Sequence, residues 1–302
     1  MTTSTMMQGK LVMVTGATDG IGKETARALA QMGAQVIVVG RNPAKIEATI
    51  DEIQAQSGNR QIDGLRADFA ALDEVRALAA AFMQRYDRLD VLVNNAGGFF
   101  NTYKETADGF EQSFGINHLA PFLLTHLLLD ALKTGAHRSG SARIVNVSSA
   151  AHMLGKMNFD DLQGRKRFSG MRAYAQSKLA NLLFTYELAR RMRGRGITSN
   201  ALHPGAVASN FARNQPGWGA AFFKLALRFG LTPVQGAQTS IYLASSPKME
   251  GITGNYYVKC KAVRSSPASY DTAAAARLWQ ISEDLAGVES SSTATATSAA
   301  HV

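Results

Sequence analysis

Lys10-Leu11-Val12-Met13-Val14, running straight into Thr15-Gly16-Ala17-Thr18-Asp19-Gly20-Ile21-Gly22, decides how this chain is built. A short apolar run rich in β-branching has the length of a buried strand. The next eight residues hold three glycines, and from Lys23 to Met32 apolar residues recur with a helical period. Strand, glycine turn and helix, in that order, make a phosphate loop. The glycines permit a tight turn and close backbone approach, and the helix start offers free N–H groups and a positive dipole end to a pyrophosphate. Gly16, Thr18, Gly20, Ile21 and Gly22 are therefore candidate contacts to a dinucleotide.

Gln35 to Val39 reads as a second strand and completes a βαβ unit. An NAD site places a carboxylate on the ribose 2′-hydroxyl about 20 residues past the glycines. Here Gly40 stands at that place, followed by Arg41 and Asn42. Loss of the acid removes repulsion against a 2′-phosphate, and a guanidinium can grip one. Lys23, just after the loop, adds positive charge. NADP(H) is the expected cofactor; the alternative for Arg41 is a surface arginine in the turn before Pro43.

Strand and helix keep alternating. Strands are expected over Gln61–Arg66, ending at Asp68, and over Leu89–Val93, opening into Asn94-Asn95-Ala96-Gly97. Further strands are Arg143–Val147, leading to Ser148 and Ser149, and Ile197–Leu202, before Pro204-Gly205. Helices are expected over Leu72–Tyr86, Gly109–Asp130 with a break near Pro121, and Met171–Met192. The alternation predicts an α/β fold: one doubly wound parallel sheet with helices on both faces. Ligands of that architecture bind at the carboxyl ends of the strands, where each of these polar clusters falls. Residues 9–288 are expected to form the domain, with a flexible 1–8 before it. The Ser/Thr/Ala-rich 289–302 is expected to be a disordered tail.

Within the Met171–Met192 helix, Tyr174 and Lys178 are four apart and share a face. A free phenol has a pKa of about 10. A lysine charge about 5 Å away, at an effective dielectric of about 20, would favour the phenolate by roughly 3 kcal/mol, or about two pKa units. That would bring the phenol to where it exchanges protons near neutrality. The plain alternative is a surface tyrosine beside a solvated lysine. A second pair at this spacing, Tyr257 and Lys261, lies in a strand-like run, where the side chains would be about 13 Å apart.

Composition narrows the classes. The 302 residues, 46% of them apolar, suffice for one large domain. No run of about 18 apolar residues occurs, so no membrane span is expected. Residues 1–8 are too short and polar for a signal peptide. A single cysteine, Cys260, allows no internal disulfide and fits a reducing, cytoplasmic setting. The six histidines form no zinc-motif spacing, so no metal is expected. Formal charge is +9, with basic groups at 190–195 and 165–167. No aromatic recognition module accompanies them, so they read as solvated surface rather than a nucleic-acid site.

The chain resembles the short-chain dehydrogenase/reductase family. The matching pieces are the Gly16/Gly20/Gly22 loop, Asn94-Asn95-Ala96-Gly97, Asn117, Ser148-Ser149, Tyr174-x-x-x-Lys178 and Pro204-Gly205, in family order over residues 9–260. Asn117-His118-Leu119, Val147-Ser148-Ser149-Ala150-Ala151-His152, Tyr174 to Asn181 and His203-Pro204-Gly205 resemble its retinol-dehydrogenase-like branch, as do Tyr256-Tyr257-x-x-Cys260 and Arg277-Leu278-Trp279. The resemblance implies a Rossmann-type oxidoreductase interconverting an alcohol and a carbonyl. Tyr174 would be the general acid/base, and Lys178 would lower its pKa and hold the nicotinamide ribose. Ser149, rather than Ser148, would hold the substrate oxygen, and Asn117 would support a relay water. Asp68 and Phe69 would border adenine, and Asn95, Ala96 and Gly97 its ribose. Pro204, Gly205, Val207 and Ser209 would meet the nicotinamide; Ser209 stands where the family often has threonine.

Two segments are expected to wall the substrate pocket. One, before Tyr174, carries Met153, Leu154, Phe159, Phe168 and Met171; the other is 205–231. In the latter Trp218, Phe222, Leu225 and Phe229 share one helical face. That face is expected to be a lid, against the alternatives of a core helix or a membrane-surface helix. The substrate is expected to be a bulky apolar alcohol, aldehyde or ketone. No nucleic acid and no membrane contact are expected. A homodimer or homotetramer is expected, through helices carrying Leu119, Phe122, Leu123, Leu127 and Leu179, Leu182, Leu183, Tyr186, which are more apolar than one buried stripe requires. Two other readings are a catalytically silent NADP(H)-binding sensor or scaffold, and a sugar-nucleotide epimerase or dehydratase of an extended relative.

Overall fold

The computed structural model describes residues 6–207 and 230–288. The expected lid face, Ser209 and the 289–302 tail lie outside the described residues. Eight strands form one sheet in the order β3-β2-β1-β4-β5-β6-β7-β8. They are β1 Leu11–Thr15, β2 Gln35–Gly40, β3 Ile62–Arg66, β4 Val91–Asn94, β5 Ala142–Val147, β6 Ile197–His203, β7 Tyr256–Val258 and β8 Lys261–Val263. All neighbours pair in parallel except β7 and β8. The order reverses between β1 and β4, so the crevice for a ligand opens there.

β1 shows why the sheet is buried on both faces. Leu11 and Met13 point into one core, Val12 and Val14 into the other, as the two-residue period of a strand requires. On the Val12 side pack α1 (Gly20–Gln31), α2 (Pro43–Ser57) and α8 (Pro233–Ser245), through Leu29, Ile53 and Leu243 among others. On the Leu11 side pack α3 (Leu72–Arg85), α5 (Ala120–Leu127), α7 (Gly170–Arg191) and α9 (Thr272–Ala286), through Phe82, Phe122, Leu183 and Trp279. Caps fix the ends. The Asp19 carboxylate accepts from Gly20 N, Asn42 from Lys45 N ahead of Pro43, and Asp271 from Ala274 N; each satisfies a donor the helix start would leave open.

Three expectations change. The helix read as 109–130 is a short α4 (Gln112–Phe114), a π segment over Gly115–Leu119, then α5; α6 follows over Leu129–Ser139. Pro121 follows directly on the π segment in a continuous helical run, so the irregularity precedes it. Tyr257 and Lys261 lie on two strands of a hairpin, not one. Lys259 and Cys260 turn the chain with φ of 50° and 61°. Lastly, some of the apolar surface of α5 and α7 is covered by α9 of the same chain. Trp279 meets Phe122 at 5.1 Å and Phe184 at 5.9 Å between ring centroids. Part of the apolar excess on these two helices is thus met within the chain. The basic group at 190–195 is partly structural too: Arg190 and Arg191 pair with Glu187, and Arg191 lies 4.3 Å over the Trp279 ring.

Candidate active site

The carboxyl ends of β1, β4, β5 and β6 surround one cavity of about 640 Å³. Its floor at one end is the glycine loop. Gly16 has φ of +63°, and a Cβ there would meet Ala96 Cα at 3.0 Å. A Cβ on Gly22 would overlap the Gly16 carbonyl and the Asn95 amide. The tight packing is deliberate in its chemistry: Asn95 donates to the carbonyls of Thr15 (2.8 Å) and Gly16 (3.2 Å), and Thr15 Oγ1 accepts from Asn95 N and Ala96 N, both at 3.0 Å. These bonds bind the end of β4 to the end of β1. They hold Gly16, Gly20, Ile21, Gly22, Asn95, Ala96 and Gly97 around the cavity.

At the other end stand Ser149, Tyr174 and Lys178. Ser149 caps a 3-10 turn, Ala150–Leu154, accepting from Ala151 N at 3.2 Å, and is hydrogen-bonded to Tyr174 through its side chain. Its neighbour Ser148 is turned away and donates to the Lys178 carbonyl at 2.8 Å. Geometry therefore separates the two serines: only Ser149 has its hydroxyl on the phenol. Lys178 Nζ donates to the Val147 carbonyl at 3.1 Å and lies 5.6 Å from the centre of the Tyr174 ring. Phe99 packs edge-on to that ring at 5.5 Å.

The electrostatics differ from the expectation built on spacing. Burial pushes the Tyr174 phenol up to about 12, with the Ser149 hydrogen bond pulling it down. Burial brings Lys178 down to about 8. Desolvation thus outweighs the Ser149 hydrogen bond at the phenol, and it also disfavours the charged form of Lys178. Tyr174 is consequently a protonated acid at neutral pH, poised to give a proton.

Asn117 sits in the π segment, an irregularity frequent at functional sites. Its amide accepts from Gly98 N (2.8 Å) and donates to Gly98 O (2.9 Å) and Ser177 Oγ (3.0 Å). It thereby ties the loop after β4 to α7.

The adenine end is less convergent. Arg41 is exposed just past β2. Asn42 serves as the α2 cap. Asp68 accepts from Ala70 N at 3.0 Å, and the Phe69 ring is buried in the core, so only the backbone of Phe69 can border a ligand. None of these four lines the cavity. Thr18 packs on Gly40, where a Cβ would come within 2.6 Å of its Cγ2; Gly40 has a packing reason as well as an electrostatic one. Lys23 is engaged by Glu52 at 2.9 Å and so is not directed at a phosphate. Pro204, Gly205 and Val207 line the cavity.

Of the residues expected to wall the substrate side, Leu154 and Met171 do so. Met153 is exposed, Phe159 packs on the core under Arg277, and Phe168 meets Tyr103. The sequence reading missed Phe99, whose only signal is its place just after Asn95-Ala96-Gly97. It also gave no role to His203, which lines the cavity, or to His152. Among the described residues no helix is long and apolar enough to cross a membrane, and no cluster of metal-ligating side chains occurs.

A switch-point crevice with a glycine loop at one end and a Ser–Tyr–Lys group at the other defines a Rossmann-type oxidoreductase. The family model for short chain dehydrogenase matches residues 10–218, and the chain belongs to that family. Within it the chain is retinol-dehydrogenase-like: it is 44% identical to retinol dehydrogenase 12 of Mus musculus over 95% of this chain and 90% of that protein. Among solved structures, an uncharacterized protein from Mycobacterium paratuberculosis superposes with a TM-score of 0.75 at 34% identity, covering 94% of this chain and 95% of that one. The Pseudomonas aeruginosa RhlG/NADP active-site complex superposes with a TM-score of 0.68 at 27% identity, covering 85% and 96%.

Proposed function

We propose that this chain is an NADP(H)-dependent oxidoreductase that interconverts an apolar alcohol and its aldehyde or ketone, with Tyr174 as the general acid/base. The observation that carries the reading is the meeting of Ser149 and Tyr174 hydroxyls in the cavity that also contains the glycine loop. The residues present suit a dinucleotide: the Gly16–Gly22 cradle admits close backbone approach, as the crowding at Gly16 and Gly22 requires.

A bound nicotinamide would supply or accept the hydride. Ser149 and Tyr174 would orient the substrate oxygen between them. Tyr174, held protonated by burial, would give its proton to the oxygen of a carbonyl as negative charge develops there. Lys178 spends one N–H on Val147 and, as an ammonium, keeps two more donors for a ribose. Asn117 fixes the loop carrying Gly97 and Gly98 against α7 and so supports the relay from Lys178. Phe99, Leu154 and Met171 make the substrate end apolar, which suits retinoid, steroid, terpenoid, polyketide or aromatic carbonyls. Use of NADP(H) would favour reduction as the working direction. Arg41 and the RhlG/NADP likeness support NADP(H) over NAD(H).

The test is NADPH oxidation against a panel of apolar aldehydes and ketones, with Tyr174→Phe as control. Turnover should fall at least about 100-fold in the variant, the usual scale of acid–base loss, with NADPH binding retained. Cofactor binding without turnover of any carbonyl would favour the silent sensor.

A further inference from the structure

We propose that the serine-rich loop 265–270 is a positioning element for the catalytic pair: through His152 it sets Ser149, and through Tyr186 it sets the helix that bears Tyr174. The inference rests on the reading that Ser149 and Tyr174 act together. His152 is buried, three residues past Ser149. Its Nε2 accepts from Ser266 N at 3.1 Å, so its proton resides on Nδ1, which donates to the Ser149 carbonyl at 2.6 Å. The ring is held edge-on to Tyr256 at 4.9 Å. Burial keeps this imidazole neutral, which the arrangement demands, because a doubly protonated ring could not accept from Ser266.

The same loop grips α7. Ser265 Oγ bonds Tyr186 Oη at 2.7 Å and Ser269 Oγ at 2.6 Å, and Ser265 N donates to Tyr270 Oη at 3.1 Å. Tyr186 and Tyr270 stack at 5.4 Å. Tyr186 lies about three turns along α7 from Tyr174. One loop therefore fixes both the turn carrying Ser149 and the helix carrying Tyr174, and so the separation of the two hydroxyls.

The substitutions His152→Ala, His152→Asn and Tyr186→Phe test this in the full chain. Asn can present a donor where Nδ1 was and so keep the bond to Ser149. Misplacement of a reacting group by about 1 Å costs on the order of 100-fold. His152→Ala should therefore lower kcat about 10- to 100-fold with the KM for carbonyl and the Kd for NADPH near wild type. His152→Asn should recover most of that loss, and Tyr186→Phe should lower kcat in the same manner. In the same samples, hydrogen exchange at the 150–154 amides should quicken in the Ala variant and stay slow in the Asn variant. A lower Tm with unchanged kcat per folded molecule would reduce the network to structural glue and overturn the proposal. So would equal exchange in all variants, a readout that decides even if wild-type protein turns over no carbonyl, which would count against the function proposed above instead.

Discussion

Acidification should unfold this protein through His118, and the size of the effect follows from where that residue sits. The imidazole is buried among Phe114, Phe122 and Phe184 and hydrogen-bonded through Nε2 to Ser282 at 2.9 Å. Burial brings its pKa from 6.5 down to about 4, with Asn181 pulling weakly the other way. The unfolded chain takes up a proton near pH 6.5; the folded chain waits until about pH 4. Between those values the unfolded state binds more protons, so stability rises with pH by about 1.4 kcal/mol per pH unit. Falling through the whole window therefore removes roughly 3 kcal/mol, a large part of a typical domain's stability. His126, His152 and His203 are lowered by burial too and add in the same sense. Glu111, raised by burial, acts oppositely: its contribution is present in acid and lost as pH rises. Urea denaturation of wild type and His118→Gln, repeated between about pH 4 and 7, isolates the histidine. The variant should start less stable at neutral pH and lose less on acidification, so that the gap narrows by roughly 3 kcal/mol. Parallel curves would refute the reasoning; His118→Asn serves if the first variant does not fold.

Three other outcomes are expected. Carbonyl reduction should decline as pH rises past about 8, where buried Lys178 loses its charge; a kcat/KM profile flat through that range would contradict it. Arg41→Ala should weaken NADPH by about 10- to 150-fold, the equivalent of a charge-assisted bond of 1.5–3 kcal/mol, while sparing NADH. Equal Kd changes for both cofactors would remove Arg41 from the site. Gly22→Ala should cost roughly 1–3 kcal/mol of stability by overpacking against Gly16 and Asn95, with a matching loss of cofactor affinity; unchanged values in thermal melts and titration would show that the loop can yield.

The sheet could be read because β1, β2 and β4 are apolar runs between punctuating glycines and polar clusters, and burial on both faces leaves few other choices for such runs. The site could be read because its residues fall at the ends of the strands. What escaped were features set by tertiary environment. The π segment around Asn117 has no periodic signature, since one extra residue per turn is invisible beside Pro121. The pKa of Tyr174 depends on how deeply it and Lys178 are buried, and spacing says nothing of depth. Lys23 looked available for a phosphate until Glu52, on α2, was seen to hold it. α9 escaped as a structural partner because its contacts to α5 and α7 join distant parts of the chain.

That last distance has a consequence for synthesis. His118 and Ser282 are 164 residues apart, so a ribosome finishes α5 and α7 long before it makes the helix that covers them. Until then Phe122 and Phe184 lack Trp279, their aromatic cover. A growing chain therefore exposes these rings until α9 is made, and exposed apolar surface of that kind promotes aggregation. A premature stop before residue 272 would leave that condition permanent, and such products should accumulate as insoluble aggregates rather than as a smaller enzyme.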